Sequence, residues 1–238
     1  MAILPRRNLL TRPGHQDSQR LVAANLDQIA ILVAPLPNPD WLLVDQFLVA
    51  AEVRQLSVCL IVNKADMLAD VVQFPSGLED YTGHYPPLWI SAASGQGLAT
   101  VGERLTGLRT LLAGQSGVGK SSLSNALLPE RQIRVGEISE RSGLGRHTTT
   151  AATLHHLPSG GDLIDSPGVN VFGLADVDEA GLAWGYREFR GWIGQCRFND
   201  CRHLADKGCA VREAVAAGHI SHARHARYQE LLQRLCRQ

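Results

Sequence analysis

The chain has 238 residues, 45% of them hydrophobic, enough for one sizeable core and a small annex. Lys plus Arg and Asp plus Glu both number 23, so overall charge does not call for a nucleic-acid partner. The start MAILPRRNLL lacks the apolar core of a signal peptide, and the longest apolar run, residues 29–37, is too short for a bilayer and contains prolines. A cytoplasmic protein without a membrane partner is therefore expected, and nothing in the sequence points away from a monomer. In that setting the five Cys argue for thiols or metal ligands rather than disulfides.

Residues 1–20 are basic, broken by Pro5 and Pro13, and read as a strand fragment and a linker. A buried strand is expected over 26–34, ending in a proline-rich turn. Residues 40–56 carry Val44, Phe47, Leu48 and Ala51 at helical spacing, with Asp40 as the N-cap. Further strands are expected at 57–62, 87–91 and 109–114, a strand and turn at 162–168, and helices over 98–105 and 120–127. Strands alternating with helices indicate a doubly wound α/β sheet, whose ligands bind beyond the carboxyl ends of the strands. After Gly173 the alternation gives way to short apolar runs, glycines and a Cys/His cluster, which sets a boundary near 178.

GQSGVGKS, residues 114–121, fits G-x-x-x-x-G-K-[ST] between a strand and a helix. Its glycines let successive N–H groups converge on phosphate oxygens, and the helix N-terminus adds partial positive charge. The cradle comprises Gly114, Gly117, Val118, Gly119, Lys120, Ser121 and Ser122. Lys120 reaches the β- and γ-phosphates, and the Ser121 hydroxyl can ligate Mg²⁺. The competing reading is a plain glycine-rich turn.

NKAD, residues 63–66, ends the strand at 57–62. Asp66 can accept from N1–H and the 2-amino group of guanine, donors that adenine lacks. Asn63 is expected on the O6/N7 edge, and the Lys64 stem along the base. SAASG, residues 91–95, begins with Ser91 and offers a backbone N–H, expected from Ala92, to guanine O6. DSPG, residues 165–168, fits the D-x-x-G switch: Asp165 would hold Mg²⁺ through water and the Gly168 N–H would sense the γ-phosphate. Between cradle and switch, SGLGRHTTT (142–150) offers a Mg²⁺-binding Thr among Thr148, Thr149 and Thr150, with Thr149 taken as the ligand. Val169 stands where many GTPases place a water-orienting Gln. His147 can accept and donate, and is read either as its replacement or as an ordinary loop His. The order reader, base loop, cradle, loop, switch is that of a circularly permuted GTPase, binding GTP or GDP with Mg²⁺.

Cys196, Cys201, His203 and Cys209 follow the pattern C-x4-C-x-H-x5-C. Four such ligands suit a closed, structural tetrahedral Zn²⁺ site; buried free thiols are the alternative. Arg224, Arg227, Arg234 and Arg237 give residues 219–238 a basic character, read either as a solvated helix face or as a docking surface.

Together NKAD, GQSGVGKSSL, GRHTTT, DSPG and the Cys3His spacing resemble the small ribosomal subunit biogenesis GTPase A family (RsgA, also called YjeQ) from about Leu21 onward. The resemblance implies a permuted P-loop GTPase domain at 21–178 and a small, mainly helical zinc domain at 179–238. It implies GTP hydrolysis stimulated by the small (30S) ribosomal subunit and its rRNA, a role in late maturation of that subunit, and a catalytic His147 beside Lys120. The family begins with an OB-fold barrel, and residues 1–20 look like only its last strand and exit linker, which would weaken ribosome binding. A GTP-dependent binding module with negligible turnover is the second reading. A permuted GTPase of large-subunit assembly is disfavoured by the zinc segment.

Overall fold

The computed structural model describes residues 5–13, 19–68, 74–128, 152–165, 174 and 176–237. In chain order the elements are β1 (Leu9–Pro13), β2 (Gln19–Ala24), β3 (Gln28–Val33), α1 (Trp41–Val53), β4 (Ser57–Val62), α2 (Glu79–Thr82), β5 (Leu88–Trp89), α3 (Leu98–Leu105), β6 (Arg109–Ala113) and α4 (Lys120–Leu127). They continue with β7 (Thr153–His156), β8 (Asp162–Asp165), α5 (Glu179–Gly185), α6 (Arg190–Ile193), α7 (Ala210–Ala216) and α8 (His222–Leu235).

Six strands form one sheet in the order β5-β4-β3-β6-β8-β7, parallel except for the final β7–β8 pair. Chain direction across the sheet reverses between β3 and β6, so the loop after β6 leaves from the topological switch point, where open α/β sheets bind ligands. Strands covered on both faces read as near-continuous apolar runs, which explains IAILV after the buried Gln28. Ile29, Ile31, Val33, Leu60, Val62 and Leu111 face one apolar cluster with α1, α5 and α8. Ala30, Leu32, Cys59, Ile61, Leu112 and Leu163 face the other, with α3 and α4. The cradle helix and the C-terminal segment thus lie on opposite faces of the sheet.

The N-terminal pairing escapes the sequence reading, which expects a strand fragment and a linker over 1–20. Residues 9–13 and 19–24 pair antiparallel in a separate two-stranded sheet, so the boundary drawn at residue 21 falls inside β2. Asn8 ties this hairpin down: its amide donates to Leu26 O at 2.7 Å and its Oδ1 accepts from Leu26 N at 2.8 Å. The edge strand β7 was also unforeseen.

Asp178 is the N-cap of α5, its side chain accepting from Gly181 N. The segment beyond it is packed hard on α1. A Cβ at Gly185 would come within 2.9 Å of Val49, so only glycine allows α5 this close. The same interface buries charge. Asp45 of α1 is fully buried and accepts from Tyr81 Oη, Tyr186 Oη, Arg224 Nη1 and Arg227 Nε. Arg224 also binds Glu188, and Arg227 binds Asp80. Burial works against the Arg224 charge, yet Asp45 and Glu188 beside it raise its pKa well above the ordinary value. A second buried acid of α1, Glu52, meets Arg187 and Arg190 at 2.7 Å each. Arg224 and Arg227 therefore belong to the interior, not to a docking surface, and Arg234 pairs with Glu230 one turn away.

Candidate functional site

Three sequence motifs and Asp165, the first residue of a fourth, converge at one end of the sheet. Residues 114–119 leave β6 and turn into α4, with left-handed backbone at Gly114, Gly117 and Gly119. Two of these glycines are also required by contact. A Cβ at Gly114 would lie 2.5 Å from Leu32 O, and one at Gly119 would lie 2.3 Å from Asn63 Nδ2. The cradle is thus pressed between the end of β3 and the NKAD loop. Lys120 Nζ donates to Gly114 O at 2.7 Å and Gln115 O at 2.8 Å, which holds the ammonium over the loop. Burial lowers its pKa from the ordinary lysine value, and the Asp165 carboxylate offsets part of that shift. Ser121 and Ser122 lie half-buried on the first turn of α4. Asp165 is the last residue of β8, with Oδ2 3.4 Å from Ser124 Oγ. The Asp165 carboxylate and the Ser121 hydroxyl on the first turn of α4 are hard oxygen donors of the kind that suit Mg²⁺.

On the base-reading side the loops are tied to one another by internal hydrogen bonds. Asn63 is 2% exposed, so its amide must be satisfied internally. Its Nδ2 donates to Val118 O at 2.9 Å, and its Oδ1 accepts from Ala92 N at 3.0 Å. Asn63 therefore ties the cradle to the 91–95 loop through its Oδ1 and one of its two Nδ2 hydrogens, and the Ala92 N–H expected for O6 is engaged in that tie. Ser91 is fully buried and orders the same loop by accepting from Ser94 N at 3.1 Å. Lys64, in left-handed backbone at φ 62°, reaches across to Leu36 O and Gly117 O, both at 2.8 Å. Asp66 stands exposed on a 3-10 turn spanning Ala65–Leu68. Among the described residues its carboxylate has no hydrogen-bond partner, so both oxygens are available to a ligand.

One participant was missed. Gln115 occupies a free position of the cradle motif, yet its Oε1 accepts from Asp40 N at 2.6 Å and its Nε2 donates to Asn38 O at 2.8 Å. Motif spacing carries no signal for it, because the partners lie 75 and 77 residues away.

The C-terminal cluster gathers as the spacing predicts. The ligand atoms of Cys196, Cys201, His203 and Cys209 all lie within 4.8 Å of one another. His203 Nδ1 sits 3.6, 3.5 and 3.5 Å from the three sulfurs. Tetrahedral zinc with ordinary Zn–S and Zn–N bonds requires S···N separations of about 3.6 Å. The set can hold Zn²⁺ without rearrangement. Left-handed backbone at His203 aims the ring inward, and Arg197 N bonds Gly208 O at 2.9 Å to close the loop. Cys59 is buried in β4 and Cys236 is exposed, both outside the cluster.

Residues 3–175 match the family model of the RsgA GTPase. The chain belongs to the RsgA GTPase family. A relative from Vibrio vulnificus strain YJ016, small ribosomal subunit biogenesis GTPase RsgA 1, is 46% identical over 235 residues, covering 98% of this chain and 67% of the relative. The crystal structure of YjeQ from Thermotoga maritima superposes with a TM-score of 0.77 at 34% identity, over 99% of this chain and 78% of that one. The crystal structure of YloQ, described as a circularly permuted GTPase, gives a TM-score of 0.70 at 26% identity, over 98% and 81% of the two chains. The unusual motif order is therefore that of an RsgA-type permuted GTPase. His147, Thr148, Thr149, Thr150, Gly168 and Val169 lie outside the described residues.

The cluster leads to a direct prediction. Metal analysis of purified protein should find one zinc per chain. Cys209→Ser, at a ligand that is 2% exposed, should lower both zinc content and thermal midpoint. A fully folded, zinc-free chain would refute the site.

Proposed function

We propose that the chain binds GTP across the ends of β4, β5, β6 and β8, hydrolyses it to GDP and phosphate, and acts in maturation of the small ribosomal subunit. The observation that carries this is the convergence of the 63–66, 91–95 and 114–121 segments and Asp165 at one end of one sheet, in a chain of the RsgA GTPase family. The backbone N–H groups of 114–120 and the Lys120 ammonium bind and orient the phosphates. Asp66 selects guanine, with the Lys64 stem beside the base. Asn63 and Ala92 hold the reader and the cradle at a fixed separation. Ser121 and Thr149 would ligate Mg²⁺, with Asp165 acting through water, and the bound ion would supply positive charge against that developing on the phosphates. Gly168 senses the γ-phosphate and His147 positions the attacking water.

In this reading residues 21–178 are the GTPase domain and 179–238 a lobe stapled by structural zinc. The similar Vibrio vulnificus protein is named for small ribosomal subunit biogenesis, which supports the subunit and its rRNA as partners and a cytoplasmic site of action. Among the described residues no helix is long and apolar enough to cross a membrane. We take the working unit to be a monomer.

Phosphate release from GTP, measured with and without small ribosomal subunits, tests this reading. Stimulation is expected, and an unchanged rate would remove the ribosomal role. In the same assay His147→Ala should lower kcat while nucleotide affinity stays near wild type. A normal rate would exclude His147 as the water positioner.

A further inference from the structure

We propose that α1 couples the phosphate cradle to the zinc lobe, with Gln115 as the positioning residue at its nucleotide end. The proposal rests on the reading of 114–121 as the phosphate site, and three sets of contacts carry it. At the cradle, the Gln115 amide grips the turn that opens α1, through Asp40 N and Asn38 O. Asp40 is itself the N-cap of α1, accepting from Leu43 N at 3.0 Å. Along α1, fully buried Asp45 holds Arg224 and Arg227 of α8. On α8, His225 Nε2 lies 2.8 Å from His203 O, and Tyr228 Oη donates to Arg202 O at 2.9 Å. The path thus runs from the cradle, through two rigid helices, to the backbone of a zinc-cluster residue.

Two features separate this path from ordinary packing. The helix that follows the cradle, α4, lies on the opposite face of the sheet from the lobe. Among the described residues α1 is the helix that meets the lobe and also borders the cradle. Moreover, a buried ion pair is seldom better for stability than a well-packed apolar contact, but it fixes orientation. Both ends of the Gln115 amide are likewise committed to the segment that opens α1.

A double-mutant cycle on GDP affinity tests this, using a fluorescent GDP titration of the full zinc-loaded chain. Arg227→Gln, far from the nucleotide site, should weaken GDP binding by about three- to ten-fold. Arg227→Lys should restore part of the loss. In a Gln115→Ala background, Arg227→Gln should have no further effect, because the link is already cut. Unchanged affinity in Arg227→Gln, or losses that simply multiply in the double variant, would overturn the coupling. If Arg227→Gln does not fold, Tyr228→Phe removes only the hydroxyl donated to Arg202 O and supports the same cycle. Failure of the wild-type chain to bind GDP would instead strike the nucleotide-site reading itself.

Discussion

Asp66→Asn should lower GDP affinity by roughly 100-fold, the loss expected when a hydrogen bond to a charged acceptor is removed, and should raise affinity for xanthosine diphosphate. The carboxylate of Asp66 is exposed and has no hydrogen-bond partner among the described residues, so it can accept from both N1–H and the 2-amino group of guanine. An amide in its place presents an N–H to the 2-amino group, donor against donor. Xanthine carries a carbonyl at that carbon and accepts from the amide. The exchange of preference separates base reading from general damage, since a merely misfolded variant loses both nucleotides together. Equal GDP affinity in variant and wild type would remove Asp66 from the base site.

Asp45→Ala should destabilise the fold by about 3–5 kcal/mol, because it leaves buried cations uncompensated. For a chain of this size that is a fall of about 10–15 °C in thermal midpoint. The effect is large because Asp45 is fully buried and serves two guanidinium groups and two tyrosine hydroxyls at once. Arg224 is itself 2% exposed and stacks over Tyr81 and Tyr186, so it cannot swing out to water. Arg234→Ala is the control. Its pair with Glu230 is solvent-exposed and one helical turn away, and its loss should change stability by no more than about 0.5 kcal/mol. Equal midpoints for the two variants would contradict the assignment of Asp45 as the anchor of the lobe.

Chemistry encoded within a few consecutive residues was legible. The cradle, NKAD and the Cys3His spacing each state their geometry locally, and the helix bounds 98–105 and 120–127 follow from period and flanking glycines. Contacts between distant segments were not. The β1–β2 pairing joins a proline-broken basic stretch to a strand with no strong alternation. Asp45 sits among the apolar positions of α1 with no local hint of burial, and its partner Arg224 is 179 residues away. The arginines of α8 read as a surface feature because composition shows charge and not direction. Asn63 was placed in the correct loop, but only the packed loops reveal that its Oδ1 and one Nδ2 hydrogen tie that loop to Ala92 and Val118.

The central claim is that segments arranged in permuted order build one guanine-nucleotide site. A crystal structure of the chain with Mg²⁺ and a non-hydrolysable GTP analogue tests it most directly. The account predicts the phosphates over the 114–120 backbone N–H groups, Lys120 turned from its carbonyl partners onto them, and the guanine N1 and 2-amino groups on the Asp66 carboxylate. A base bound away from Asp66, or phosphates outside the 114–121 loop, would contradict it.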